Sequence, residues 1–106
     1  MNTNELISWA KDKKVEEKSI EGFWKAFESY RLECAEEIER YFGIYNKDEL
    51  EIKLKRISLV VGDWPRCNYN HVVSYLPIIY MGKELGKYNM LFKLSDEIYD
   101  DYLVIY

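Results

Sequence analysis

Histidine occurs once in this sequence, and cysteine and proline twice each. Each scarcity removes a class of chemistry. The single imidazole, His71, cannot by itself build a histidine-based metal site, and Cys34 and Cys67 are too far apart for zinc-ligand spacing. The opening Met-Asn-Thr-Asn-Glu-Leu has no basic stretch followed by an apolar run, so no secretory signal is expected. The longest apolar runs, such as Leu76 to Met81, fall far short of the roughly 20 residues that span a bilayer. Together these absences predict a soluble chain in the reducing cytosol, with Cys34 and Cys67 as free thiols. No internal repeat or low-complexity segment interrupts it, so a single domain over residues 1–106 is expected.

What is abundant is aromatic: ten Tyr, four Phe and three Trp in 106 residues. They supply large apolar area, and the tyrosines add hydroxyls that need water or a partner. The net charge of −4 is unevenly spread. Residues 28–39 hold five Glu against Arg31, and residues 95–106 hold Asp96, Glu97, Asp100 and Asp101 with no base. The stretch 49–94 between them carries seven Lys or Arg against four acids. Acidic ends of this kind disfavour phosphate binding and favour a basic partner.

Asn2 with Glu5 has capping-box spacing, and Leu6, Ile7 and Ala10 share a face, which predicts a short helix over 3–12. The charged stretch Lys11 to Lys18 reads as a fraying end and a solvated connection. Ser19 is then the expected N-cap of a long amphipathic helix over 20–42, with Phe23, Trp24, Phe27, Tyr30, Ile38 and Phe42 on its apolar face and Gly43 closing it.

Beyond Gly43 the period falls to two. Leu50, Ile52 and Leu54 alternate with Glu51, Lys53 and Lys55, and Ile57, Leu59 and Val61 continue on the opposite parity, which predicts a strand with a bulge near Lys55 or Arg56. Further strands are expected at 73–81, at 87–94 after a Gly82-to-Gly86 hairpin connection, and at 98–106 after a turn at Ser95-Asp96-Glu97. The fold class is therefore α+β: a short and a long N-terminal helix packed on a four-stranded antiparallel meander. Tyr88 and Phe92 are expected beneath the helix rather than stacking nucleobases.

Several segments carry chemically suggestive residues. Asp63, Cys67 and His71 could be drawn as orienter, nucleophile and base. Adjacency in sequence is not how such triads are usually assembled, however, and a surface turn with a packed Trp64 explains the segment more simply. The run Asp96 to Asp101 lacks the alternating donors and central glycine of a calcium loop. Its Asp100 and Asp101 should point to opposite faces of a strand, as charged guards of a sheet edge do. Gly82-Lys83-Glu84-Leu85-Gly86-Lys87 lacks both the ending and the helix of a phosphate loop.

The stretch Gly82-Lys83-Glu84-Leu85-Gly86-Lys87-Tyr88-Asn89-Met90-Leu91-Phe92, followed by Asp100-Asp101-Tyr102-Leu103-Val104-Ile105, is similar to small bacterial proteins. Some of those resemble the immunity proteins of polymorphic and contact-dependent growth inhibition toxin systems. The resemblance covers residues 50–106 and rests on hairpin and strand patterns without chemistry. Immunity proteins of this kind are cytosolic and block a toxin by covering its active site or holding it inactive from a neighbouring surface. The resemblance implies a binding role for acidic and aromatic surface residues, and no single contact residue carries over from it.

The expectation is an immunity- or antitoxin-like protein, not an enzyme, that needs no cofactor or metal and engages neither nucleic acid nor membrane. It would neutralise a basic toxin domain, such as a nuclease, through Glu33, Glu36, Glu37, Asp96, Glu97, Asp100, Asp101, Trp64 and Tyr69. The alternatives are a small enzyme or ligand-binding domain built on the Trp64-to-His71 loop, and a homodimer that buries exposed tyrosines.

Overall fold

The computed structural model describes residues 1–106. Helix α1 (Thr3–Asp12) starts as its capping spacing predicts, with Asn2 Oδ1 accepting from the Glu5 N–H at 2.8 Å. Its inner face is Leu6, Trp9 and Ala10, while Ile7 is exposed. Trp9 meets Phe92 edge-on and donates its indole N–H to the Leu94 carbonyl at 3.2 Å.

Helix α2 (Val15–Glu33) begins five residues before the expected start. The connection is only Lys13 and Lys14, the latter in the left-handed region at φ 55. Val15 is fully buried, and the charged stretch Lys11 to Lys18 is helical on either side of this two-residue turn rather than a solvated linker. Ser19 caps nothing; it lies buried in mid-helix against Ser74.

The long helix also ends early. At Cys34 (φ −126, ψ 50) the chain leaves helical geometry and resumes as α3 (Ala35–Phe42). The bend lets α3 fold over the end of the sheet, where the Phe42 ring lies 5.6 Å from Phe27 and 5.0 Å from Tyr80. It leaves Leu32 outside, 86% exposed. Gly43 closes α3 at φ 66, a conformation that favours glycine. A short 3-10 turn (Lys47–Glu49), capped by Asn46, then leads into the sheet.

Five antiparallel strands follow: β1 (Leu50–Ile52), β2 (Arg56–Gly62), β3 (Tyr69–Tyr80), β4 (Lys83–Lys93) and β5 (Ile98–Ile105). β1 and β2 lie end to end along one side of β3, and β4 and β5 follow on the other. They are the expected first strand, split where its parity changes. Ile52 pairs with Ile78 but Arg56 with Tyr75, so one extra residue is absorbed at Lys53–Lys55 and both apolar sets face the helices. The β3–β4 turn is tighter than Gly82 to Gly86: Met81 and Gly82 (φ 51 and 81) make it, and Lys83 to Gly86 are strand. Strand β3 also starts earlier than expected, which moves Tyr69 and His71 out of the loop and into the sheet.

The helices cover one face of the sheet. Phe23 lies 5.4 Å from Phe27 and 5.9 Å from Tyr88, and Val72, Leu76, Ile78 and Phe92 complete a layer with no exposed surface. Burying each of these large side chains stabilises the fold by about 1.5–3 kcal/mol. Tyr88 and Phe92 thus face the helix, as expected. No helix of the protein is long and apolar enough to cross a membrane.

Candidate functional site

The acidic residues occupy two separate places. Glu33, Glu36 and Glu37 flank the break between α2 and α3, around an open notch of about 370 Å³ whose apolar wall is Leu32. Glu36 and Glu37 sit in the first turn of α3, where carboxylates offset the exposed N–H groups. Glu37 also accepts from the Tyr30 hydroxyl at 2.7 Å. Partial burial, and then this carboxylate, hold the Tyr30 phenol well above its ordinary pKa.

The second group lies near the other end of α2. Asp96 pairs with Lys18 of α2 at 3.5 Å, and Glu97 with Lys93 at 3.2 Å. Fifteen residues of helix separate Lys18 from Glu33, about 22 Å at 1.5 Å per residue. The two acidic sets therefore form no single patch. Asp100 and Asp101 do point to opposite faces. Asp101 turns under the helix and accepts from the buried Tyr88 hydroxyl at 2.6 Å. Asp100 lies on the other face, accepting from the Tyr102 hydroxyl at 2.8 Å and from the Asp101 N–H at 2.9 Å. Burial first, and Asp101 second, raise the Tyr88 pKa, and the Asp100 hydrogen bond raises that of Tyr102.

The expected reactive loop is divided by the fold. Trp64 stands at the end of the sheet, 80% exposed. Cys67 (φ 57) directs its thiol to the Pro65 carbonyl at 3.4 Å. His71 is in β3, only 8% exposed, with its ring 4.8 Å from Tyr69 and 6.0 Å from Tyr99. Its Nδ1 is buried and makes no hydrogen bond, so Asp63, Cys67 and His71 form no relay. No group of three or more His, Cys, Asp or Glu side chains is placed to hold a metal ion.

Tyr69 proves to belong to something larger. The sheet face opposite the helices has no element of the chain packed on it, and alternate residues of β3 and β5 place Tyr69, Tyr75, Tyr102 and Tyr106 there over Val73, Leu91 and Val104. Tyr99 joins them because it is the extra residue of a bulge: Leu91 pairs with Asp100 and Phe92 with Ile98. The Tyr69 and Tyr99 hydroxyls meet at 2.8 Å, and Arg56 lies 4.1 Å over the Tyr75 ring. At the far edge Glu84 accepts from Tyr106 at 2.9 Å and Tyr75 at 3.4 Å. The Glu84 hydrogen bond pushes the Tyr106 phenol up to about 12. The alternation Tyr102, Val104, Tyr106 carried this signal in the sequence, but Leu103 and Ile105 between them are apolar too, and so the pattern did not say which set is covered.

Comparison with protein-family models, with curated proteins and with solved structures finds no match.

Proposed function

We propose that this protein is an immunity- or antitoxin-like inhibitor that binds a basic toxin domain in the cytosol and neutralises it by occlusion. The observation that supports this reading is the uncovered sheet face, where five tyrosines share one layer and three of them, Tyr75, Tyr102 and Tyr106, hydrogen-bond the exposed carboxylates Asp100 and Glu84. Tyrosine gives rigid apolar area with a polar tip, the combination enriched at the centres of protein interfaces. Asp100 and Glu84 accept hydrogen bonds from phenols and form no ion pair within the chain, which leaves both carboxylates open to a cationic partner. Glu33, Glu36 and Glu37 around the α2–α3 notch form a second, smaller acidic surface at which the stem of a lysine or arginine could lie on Leu32.

The test is co-expression with the toxin encoded beside the gene, followed by purification of the complex. Survival of the host cell and a stoichiometric complex are expected. Recovery of no complex, together with no protection, would sink the proposal.

A further inference from the structure

Strand β5 is the outer strand of the sheet and bonds only to β4. Its Tyr106 N–H donates to the Leu85 carbonyl at 2.9 Å, so by the two-residue period Val104, Tyr102 and Asp100 also face β4. Asp101, Leu103 and Ile105 therefore direct their N–H and C=O groups outward, away from the sheet. The opposite edge is divided at Lys53–Lys55 into strands of three and seven residues, whereas β5 runs for eight and pairs in unbroken register from Asp100 to Ile105.

Helix α2 runs beside this edge without closing on it. Between them lies an open groove of about 680 Å³, walled by Lys18 and Lys25 on α2 and by Ile98 and Asp101 on β5. Its charges are unequal. Lys18 is neutralised by Asp96 and Lys25 by Glu21, at 3.5 and 3.4 Å. Asp100 and Asp101 meet no cation; their hydrogen bonds come from tyrosine hydroxyls and one backbone N–H. The edge thus combines unpaired backbone groups, an adjoining groove for side chains, and two uncompensated carboxylates.

We infer that the outer edge of β5 accepts an extended, arginine- or lysine-bearing segment of the partner protein as an additional strand. The inference rests on the protein-binding reading above and gives that binding a place and a geometry. About five residues, roughly 17 Å of strand, match the row from Asp101 to Ile105. Alternate side chains of the segment enter the groove toward α2, and the others pack beside Tyr102. A basic side chain takes Asp100 or Asp101, most strongly as a bidentate guanidinium. At present the Asp100 carboxylate covers the outward Asp101 N–H at 2.9 Å. An incoming carbonyl would replace it there and free Asp100 for the cation.

The test uses the full chain and a displayed library of randomised linear peptides. The selected peptides should be rich in Arg or Lys, should slow hydrogen exchange at the Leu103 and Ile105 amides, and should lose affinity by about tenfold or more against D100N/D101N. Asn at 101 keeps an acceptor for Tyr88, and an unchanged thermal transition in this variant confirms that the fold is intact. Glu51→Gln, on β1 at the opposite edge of the sheet, should leave peptide affinity unchanged. The inference is overturned if no peptide is selected, if protection appears elsewhere, if D100N/D101N binds as tightly as the parent, or if a second copy of the chain occupies the edge as a dimer in solution. A toxin that is bound and neutralised while the Leu103 and Ile105 amides still exchange freely overturns the added strand alone. Absence of any toxin partner overturns the inhibitor reading instead.

Discussion

Ser19 Oγ and Ser74 Oγ lie 2.7 Å apart where α2 crosses β3, and neither serine has exposed surface. This is the one fully buried hydrogen bond between two side chains, and it fixes where along β3 the helix sits. Ser74 has a second acceptor, the Met90 carbonyl at 3.4 Å, whereas Ser19 has no other side-chain partner. Ser74→Ala should therefore destabilise more than Ser19→Ala, within the roughly 1–3 kcal/mol that a stranded buried hydroxyl costs. The double variant should be less destabilised than the sum of the two. Equilibrium denaturation of all four proteins checks the coupling, and additive losses would show that the hydroxyls do not meet.

Serine at this position also shows how far the sequence could be read. Before a periodic apolar run, Ser19 has the chemistry of an N-cap, and nothing local distinguishes that role from a buried bond to a strand 55 residues away. The break at Cys34 was hidden for a similar reason. The apolar period runs on from Tyr30 to Phe42 without a glycine or proline, and the bend is driven by Phe42 reaching Phe27 and Tyr80, which is tertiary packing. Local signals survived wherever chain geometry alone decides. The Asn2 cap, the parity change around Lys55 and the opposite faces of Asp100 and Asp101 were all legible. The tyrosine face was not, because which side of a sheet the helices cover is settled by the whole core.

Gly22 stands where α2 passes closest to β4. A Cβ there would collide with Met90 Cε and come within 2.7 Å of Tyr88 Oη. Methionine can swing aside, but Tyr88 is fully buried and tied to Asp101. Alanine improves helix propensity by about 1 kcal/mol, and overpacking costs about 1–3 kcal/mol. Gly22→Ala should thus be neutral to destabilising by about 2 kcal/mol, read as a lower denaturation midpoint. A more stable variant would show that the helix can lift off the sheet freely.

Six of the ten tyrosines have pKa values raised above the ordinary value. A phenol whose folded pKa exceeds its unfolded value of about 10 stabilises the native state throughout the range below that pH. Its contribution is lost as pH rises through the folded value, which for Tyr106 is about 12. The stability these phenols contribute should therefore be lost in the alkaline window above about 10, and phenolate absorbance should develop late, together with unfolding. Glu84→Gln should bring Tyr106 back toward its ordinary range. Full ionisation near pH 10 in a chain that remains folded would show that these hydroxyls are not held.

The surface variants separate the proposed binding role from the catalytic alternative. Trp64 is 80% exposed and Tyr102 half exposed, so alanine at either should change folding stability by no more than about 0.5–1 kcal/mol. Central aromatic contacts in interfaces cost about 2 kcal/mol or more on truncation, so the same variants should weaken a toxin complex about thirtyfold, chiefly through faster dissociation. Cys67→Ala should leave both quantities unchanged, because the one hydrogen bond of its thiol goes to the carbonyl of Pro65, two residues away in the same turn. Calorimetric titration against the toxin domain, beside thermal unfolding of each variant, measures the two effects independently. If Cys67→Ala abolishes protection while Tyr102→Ala does not, the loop carries the function and the tyrosine face does not.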